Sequence, residues 1–204
     1  MIIAEVIVDL NSISKMSLVK EPAIEVDFLK LSDEKPTIKL ANEELREVVG
    51  AALIPNKKYY RKKEFFQKTL DKNEDGYIFF NEANVKLAAM SFLKSNNKIN
   101  IQHSEDVNDG DVDLVESWII EDKNDKAYKV LNFDINEIPI GSWMLREKIN
   151  NEEIWKDIKK GNINGYSIEG SPQVIERFTS MKMQKDIDED ELVNQILTII
   201  KNIK

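Results

Sequence analysis

The sequence predicts an α+β fold: a mostly antiparallel, partly closed β-barrel with flanking helices and a C-terminal amphipathic helix. Three observations predict it. Short apolar runs rich in Val, Ile, Tyr and Phe recur along the chain, separated by polar breaks. Few segments show helical spacing. The last stretch, Asp186 to Lys204, carries an apolar stripe of Ile187, Leu192, Ile196, Ile199, Ile200 and Ile203, with acids at its start and lysines at its end. The 204 residues suit a domain at 1–180 followed by that helix at 181–204.

In chain order, Ile2 to Leu10 reads as a first strand rather than a leader, because Glu5 interrupts the apolar run and no basic residue precedes it. Ser17 to Ala23 comes next. Ile24 to Leu31 alternates as a half-buried strand, with Pro22 barring a central ladder position. Thr37 to Leu40 and Leu45 to Ile54 are further strands. The charged stretch from Asn56 to Asp75 reads as a loop or exposed helix. Gly76 to Phe80 is a strand, and Asn81 caps a helix to about Ser95. Lys98 to His103 is a strand that ends on the histidine. Val112 to Ile120 and Ala127 to Asp134 read as a hairpin around Asp122 to Asp125. Ile140 to Met144 follows Pro139. Glu152 to Lys160 is a helix stopped by Gly161, and Gly165 to Glu176 is the last strand region.

Composition excludes several chemistries. Without cysteine there is no disulfide, thiolate nucleophile or Cys-based zinc site, and one histidine argues against a His-rich metal centre. A net charge of -8 opposes a global grip on nucleic acid. No stretch approaches the roughly 18 apolar residues of a membrane span.

Two residues stand out. Ser167 sits in Gly165-Tyr166-Ser167-Ile168-Glu169-Gly170, and His103 is the lone histidine. Serine needs a base to take its proton, and imidazole suits that task near neutral pH. The pattern is not G-x-S-x-G, since Glu169 stands where the second glycine would be. A serine between glycines is also ordinary turn chemistry, and composition by itself favours that reading. The orienting acid is assigned to Glu116, an acid within an apolar strand that needs a partner; Asp113 and Glu169 compete for the role. A separate pattern, Asp71 to Glu82, fits a calcium loop with Asp71, Asn73, Asp75, the Tyr77 carbonyl and Glu82 as oxygen donors.

Several motifs in one order carry a resemblance. They are Ser17-Leu18-Val19-Lys20-Glu21-Pro22-Ala23, Gly50 to Pro55, Tyr77-Ile78-Phe79-Phe80, Gln102-His103 and Leu114-Val115-Glu116-Ser117-Trp118. Gly141-Ser142-Trp143-Met144, Trp155 and the Ser167 segment complete the set. Over about residues 1–180 the chain resembles the XkdF-type phage prohead (procapsid maturation) proteases, which are distantly similar to herpesvirus assemblins. The resemblance implies a β-barrel serine endopeptidase with Ser167 as nucleophile, His103 as base and a variable third member, here assigned to Glu116. It implies no cofactor and lowers the calcium reading. It also implies action in the host cytoplasm, inside the procapsid, on phage scaffold and possibly major capsid protein. A homodimer is compatible; membrane or direct nucleic-acid partners are not implied. The C-terminal helix would contact scaffold, dimerise or be self-processed. The alternatives are a non-catalytic capsid-assembly or scaffold-linked protein and an EF-hand-like calcium module.

Overall fold

A computed structural model describes residues 1–20, 29–31, 45–103 and 105–177. The strand and break expected at 24–28 and 32–36, the strand at Thr37 to Leu40, and the helix at Asp186 to Lys204 lie outside the described residues.

The chain begins with β1 (Ile2–Ile7), β2 (Ile13–Val19), β3 (Leu29–Leu31), β4 (Glu47–Leu53) and β5 (Tyr59–Arg61). Helix α1 (Lys63–Leu70), strand β6 (Gly76–Phe79) and helix α2 (Glu82–Lys94) follow. Then come β7 (Ile99–Ile101), β8 (Glu105–Asp106), β9 (Val112–Ile119) and the short α3 (Lys126–Lys129). The described part closes with β10 (Trp143–Ile149), α4 (Glu152–Lys160), β11 (Gly165–Gly170) and β12 (Gln173–Glu176).

The fold is α+β, as the alternation of apolar runs predicts. Its strands form three four-stranded sheets, ordered β12-β1-β6-β5, β3-β4-β10-β9 and β11-β2-β7-β8. All ladders are antiparallel except β1 with β6 and β2 with β7. The expected barrel does not close among the described residues, because each sheet keeps two terminal strands. Strand β11 packs beside β4 without a ladder. Bulges between Glu169 and Gly170 and between Arg146 and Glu147 bend these strands.

The core lies between the sheets and α2. Trp143, Trp155, Tyr166, Phe66 and Phe92 are fully buried in it. Helix α2 starts where the sequence predicts, with the Asn81 side chain accepting from Asn84 N at 2.8 Å. It turns Val85, Ala88, Ala89 and Phe92 inward, whereas Leu93 remains exposed. Removing a ring as enclosed as Phe92 costs about 3–5 kcal/mol. Helix α4 ends at Gly161, whose φ of 77° is the left-handed cap that glycine takes without a Cβ penalty.

Two segments differ from the sequence reading. Asn56 to Asp75 contains a strand and a helix, β5 and α1, rather than a single loop or helix. Ala127 to Asp134 is not the second arm of a hairpin. Asp125 caps Ala127 N at 2.8 Å and starts α3 instead, so the partner of β9 is β10.

Candidate active site

The site lies on the sheet β11-β2-β7-β8. Period-two alternation divides its faces. Met16 and Leu18 of β2, Ile99 of β7 and Tyr166 of β11 point into the core. The residues between them, Ser17, Asn100 and Ser167, share the opposite face. The register sets them in one row across three strands, Ser167 opposite Ser17 and Ser17 opposite Asn100. Glu169, two residues beyond Ser167, shares that face on the next rung.

His103 reaches this row by an unusual backbone path. Strand β7 ends at Ile101, after which Gln102 and His103 take φ of 51° and 60°. Consecutive left-handed residues without glycine are strained, and such conformations concentrate at functional sites. The turn is held where Gln102 N donates to Leu18 O at 3.0 Å. The imidazole Nδ1 then lies 2.9 Å from Ser17 Oγ and 2.9 Å from Glu169 Oε1.

Glu169 is the hub. Its Oε1 accepts from Asn100 Nδ2 at 2.5 Å and stands in hydrogen-bond contact with Ser17 Oγ. Ser17 also meets Asn100 Oδ1. Burial pushes the Glu169 carboxyl up, but hydrogen bonds from Ser17, Asn100 and His103, with the histidine's charge, outweigh it and hold the group below the usual carboxylate range. An ionised Glu169 draws the imidazole proton to Nδ1 and leaves Nε2 as the basic nitrogen. The His103 side chain is 46% exposed, so that nitrogen can meet a substrate.

The predicted residues are therefore placed as follows. His103 is on the site. Ser167 is on β11, separated by β2 from the strand that leads to His103; it is half-buried, on the same face and directly across from Ser17. No hydrogen bond joins Ser167 to His103; the contact is made by Ser17, which is fully buried. Glu116 is not brought to the histidine. It lies on β9 in another sheet, 2.8 Å from Lys126 Nζ and 3.3 Å from Arg146 Nε. Glu116 is partnered, but by cations on α3 and the neighbouring strand. The acid on His103 is Glu169.

Sequence reasoning gave no role to Ser17 or Asn100. The available signal was alternation: Ser17 between Met16 and Leu18, and Asn100 between Ile99 and Ile101, are polar positions on the far face of buried strands.

The Asp71 to Glu82 segment does not form the calcium loop. Asp71 caps α1, and Asp75 accepts from Tyr60 Oη at 2.5 Å and from Lys63 N at 2.7 Å. Tyr77 lies within β6, laddered to both β1 and β5. Among the described residues no cluster of His, Cys, Asp and Glu could hold a metal ion. Gly141, near the start of β10, gives its N–H to Ile120 O at 2.8 Å and so is committed elsewhere than to an oxyanion.

Ser17, His103 and Glu169 thus form a hydrogen-bonded Ser/His/Glu cluster on this face of the sheet. The model of the family described as "Putative phage serine protease XkdF" matches residues 66–176, just over half the chain, and the chain belongs to that family. It is 35% identical over 128 residues to the uncharacterized protein YqbD of Bacillus subtilis (strain 168). That match covers 62% of this chain and 35% of the relative, so the chain spans about a third of that protein's length. No solved structure matches the chain. No helix among the described residues is long and apolar enough to cross a membrane.

Proposed function

We propose that the chain is a serine endopeptidase of phage capsid maturation, with Ser167 as nucleophile, His103 as general base and Glu169 as the acid that orients it. The observation that carries this reading is the 2.9 Å contact of Glu169 Oε1 with His103 Nδ1, on the face that also bears Ser167. Ser17 and Asn100 buttress the carboxylate. Fully buried Ser17 cannot meet a peptide carbonyl without rearrangement, whereas Ser167 lies nearer the surface.

In the reaction, His103 Nε2 takes the proton of Ser167 Oγ as the oxygen bonds to the peptide carbonyl carbon. The tetrahedral intermediate collapses, the C–N bond breaks, and His103 returns the proton to the leaving amine. Water, deprotonated by the same nitrogen, then releases the acid and restores Ser167. Substrate binding closes the remaining gap between Ser167 and the imidazole, as catalytic hydrogen bonds tighten in the Michaelis complex.

The substrates in this reading are phage scaffold and the tails of the major capsid protein, met inside the procapsid in the host cytoplasm. Confinement there raises effective concentration and offsets a weak site. The segment at 181–204 would serve as scaffold contact, dimerisation element or self-processed tail. The test is labelling of the purified full chain with a fluorophosphonate, together with cleavage of a proteome-derived peptide library. An adduct mapped to Ser167, and cleavage lost in Ser167→Ala, support the reading. Neither label nor cleavage, from a folded chain, leaves the non-catalytic assembly protein as the better account.

A further inference from the structure

On the core side of β11 the chain leaves a groove of about 350 Å³, opening between α1, the β11–β12 turn and the strands behind them. That is the size of a small-ligand or side-chain pocket. Its walls are largely apolar, including Phe65, Ile168 and Val174. The charged residues lining it are Arg61 and Lys68; no acid lines it, although the chain has 37 Asp and Glu against 29 Lys and Arg. A second cavity of about 40 Å³, room for about one water, is walled by both Arg61 and Ser167. Arg61 thus stands at the junction of the groove and the strand of the nucleophile.

Arg61 has little of its own to satisfy it. Its Nη1 donates to Tyr60 O at 2.8 Å, and the guanidinium stands 5.9 Å from the Phe65 ring centroid. Among the described residues no carboxylate pairs with it. Burial lowers its pKa, the mark of a cation deprived of water without an anion in exchange. A guanidinium has five donors in a fork that suits a carboxylate, and desolvated charge-assisted pairs are the strong ones.

We propose that Arg61 determines specificity: the groove on the core side of the strand that carries Ser167 takes an acidic side chain of the substrate, flanked by apolar residues. The idea rests on the protease reading for its consequence, but not for its test. Fluorescent peptides of apolar composition carrying a single Glu at successive positions, and a matched set carrying Gln, are titrated by anisotropy against the full chain bearing Ser167→Ala. One register of the Glu set binds about tenfold tighter than its Gln match, equivalent to about 1.4 kcal/mol. Arg61→Gln removes the difference, and Arg61→Glu moves the preference to a Lys-bearing peptide. Equal binding of the Glu and Gln sets overturns the inference, and that comparison needs no Arg61 variant to fold. With the active chain, cleavage that ignores the acid also overturns it while leaving the protease reading intact. Acid-selective binding without any cleavage overturns the protease reading and leaves the groove.

Discussion

Glu169 Oε1 lies 2.9 Å from His103 Nδ1, and Ser167 precedes that glutamate by two positions on the same strand. One β-strand therefore carries both the candidate nucleophile and the acid, and its register against β2 sets their distance from the imidazole. A slip of one residue in that pairing would turn both to the core.

The two serines of the row separate cleanly by mutation. Ser167→Ala is expected to lower kcat by at least about 10³-fold, the scale of losing a triad member. Ser17→Ala is expected to fold and to lose about 10-fold, because it removes one support of Glu169 rather than the attacking oxygen. Single-turnover assays on both variants check this. The opposite order would move the nucleophile to Ser17.

Glu169→Gln is expected to lower kcat by about 10²–10⁴-fold with little change in KM, since it disturbs the tautomer and orientation of His103 and leaves alone the groove lined by Arg61. Its folded pKa is depressed, so its stabilising contribution is present above the unfolded value near 4.5 and is lost as pH falls through the folded value. Acid unfolding of Glu169→Gln should accordingly be flatter than that of the parent. Activity retained at full rate would remove Glu169 from the mechanism.

Glu116→Gln is expected to leave kcat/KM unchanged. Its carboxylate pairs with Lys126 and Arg146 near the surface, and such pairs contribute about 1 kcal/mol or less. Urea unfolding and a peptide assay measure the two halves of that statement.

Glu147 supplies a pH test of the core. It is fully buried on β10, and burial raises its pKa to about 8, with the neighbouring Tyr166 hydroxyl offsetting part of the rise. Between pH 4.5 and 8 the native state holds a proton that the unfolded state has released, so stability falls as pH climbs through that window. The full loss is on the order of 5 kcal/mol. Glu147→Gln should abolish the slope and be the more stable protein at pH 8. Parallel pH dependence in the two proteins would contradict the burial argument.

Gly170→Ala is expected to destabilise by about 3 kcal/mol or more, because a Cβ there would stand 1.8 Å from the Ser12 carbonyl oxygen, a backbone atom that cannot swing away. Thermal unfolding reads the loss directly.

Much of this was legible in the sequence, and particular residues show where it stopped. Asn81 and Gly161 announced the ends of α2 and α4 because capping is local chemistry. The α+β class followed from alternation in runs such as Gly76 to Phe80. The Ala127 to Asp134 segment misled because a single Asp125 cap outweighs weak β propensity. The site divides in the same way. Ser167 and His103 stand out by type and setting, and of the two His103 is the one seen in contact with the acid. Which acid meets the imidazole depends on the pairing of β11 with β2 across about 150 residues of chain, and on a left-handed turn at Gln102 and His103. Neither is written in local composition. Glu116 satisfied the rule that a strand acid needs a partner, but the rule does not say which partner.

The row Ser167, Ser17, Asn100 is drawn from three distant parts of the chain, with its acid contributed at position 169. No shorter stretch emerging from a ribosome can assemble it: the first strand of the row waits through synthesis of nearly all the described residues before its neighbour arrives. Contacts of such separation form slowly. A nascent chain consequently cannot assemble the row until its last strand has been made and seated.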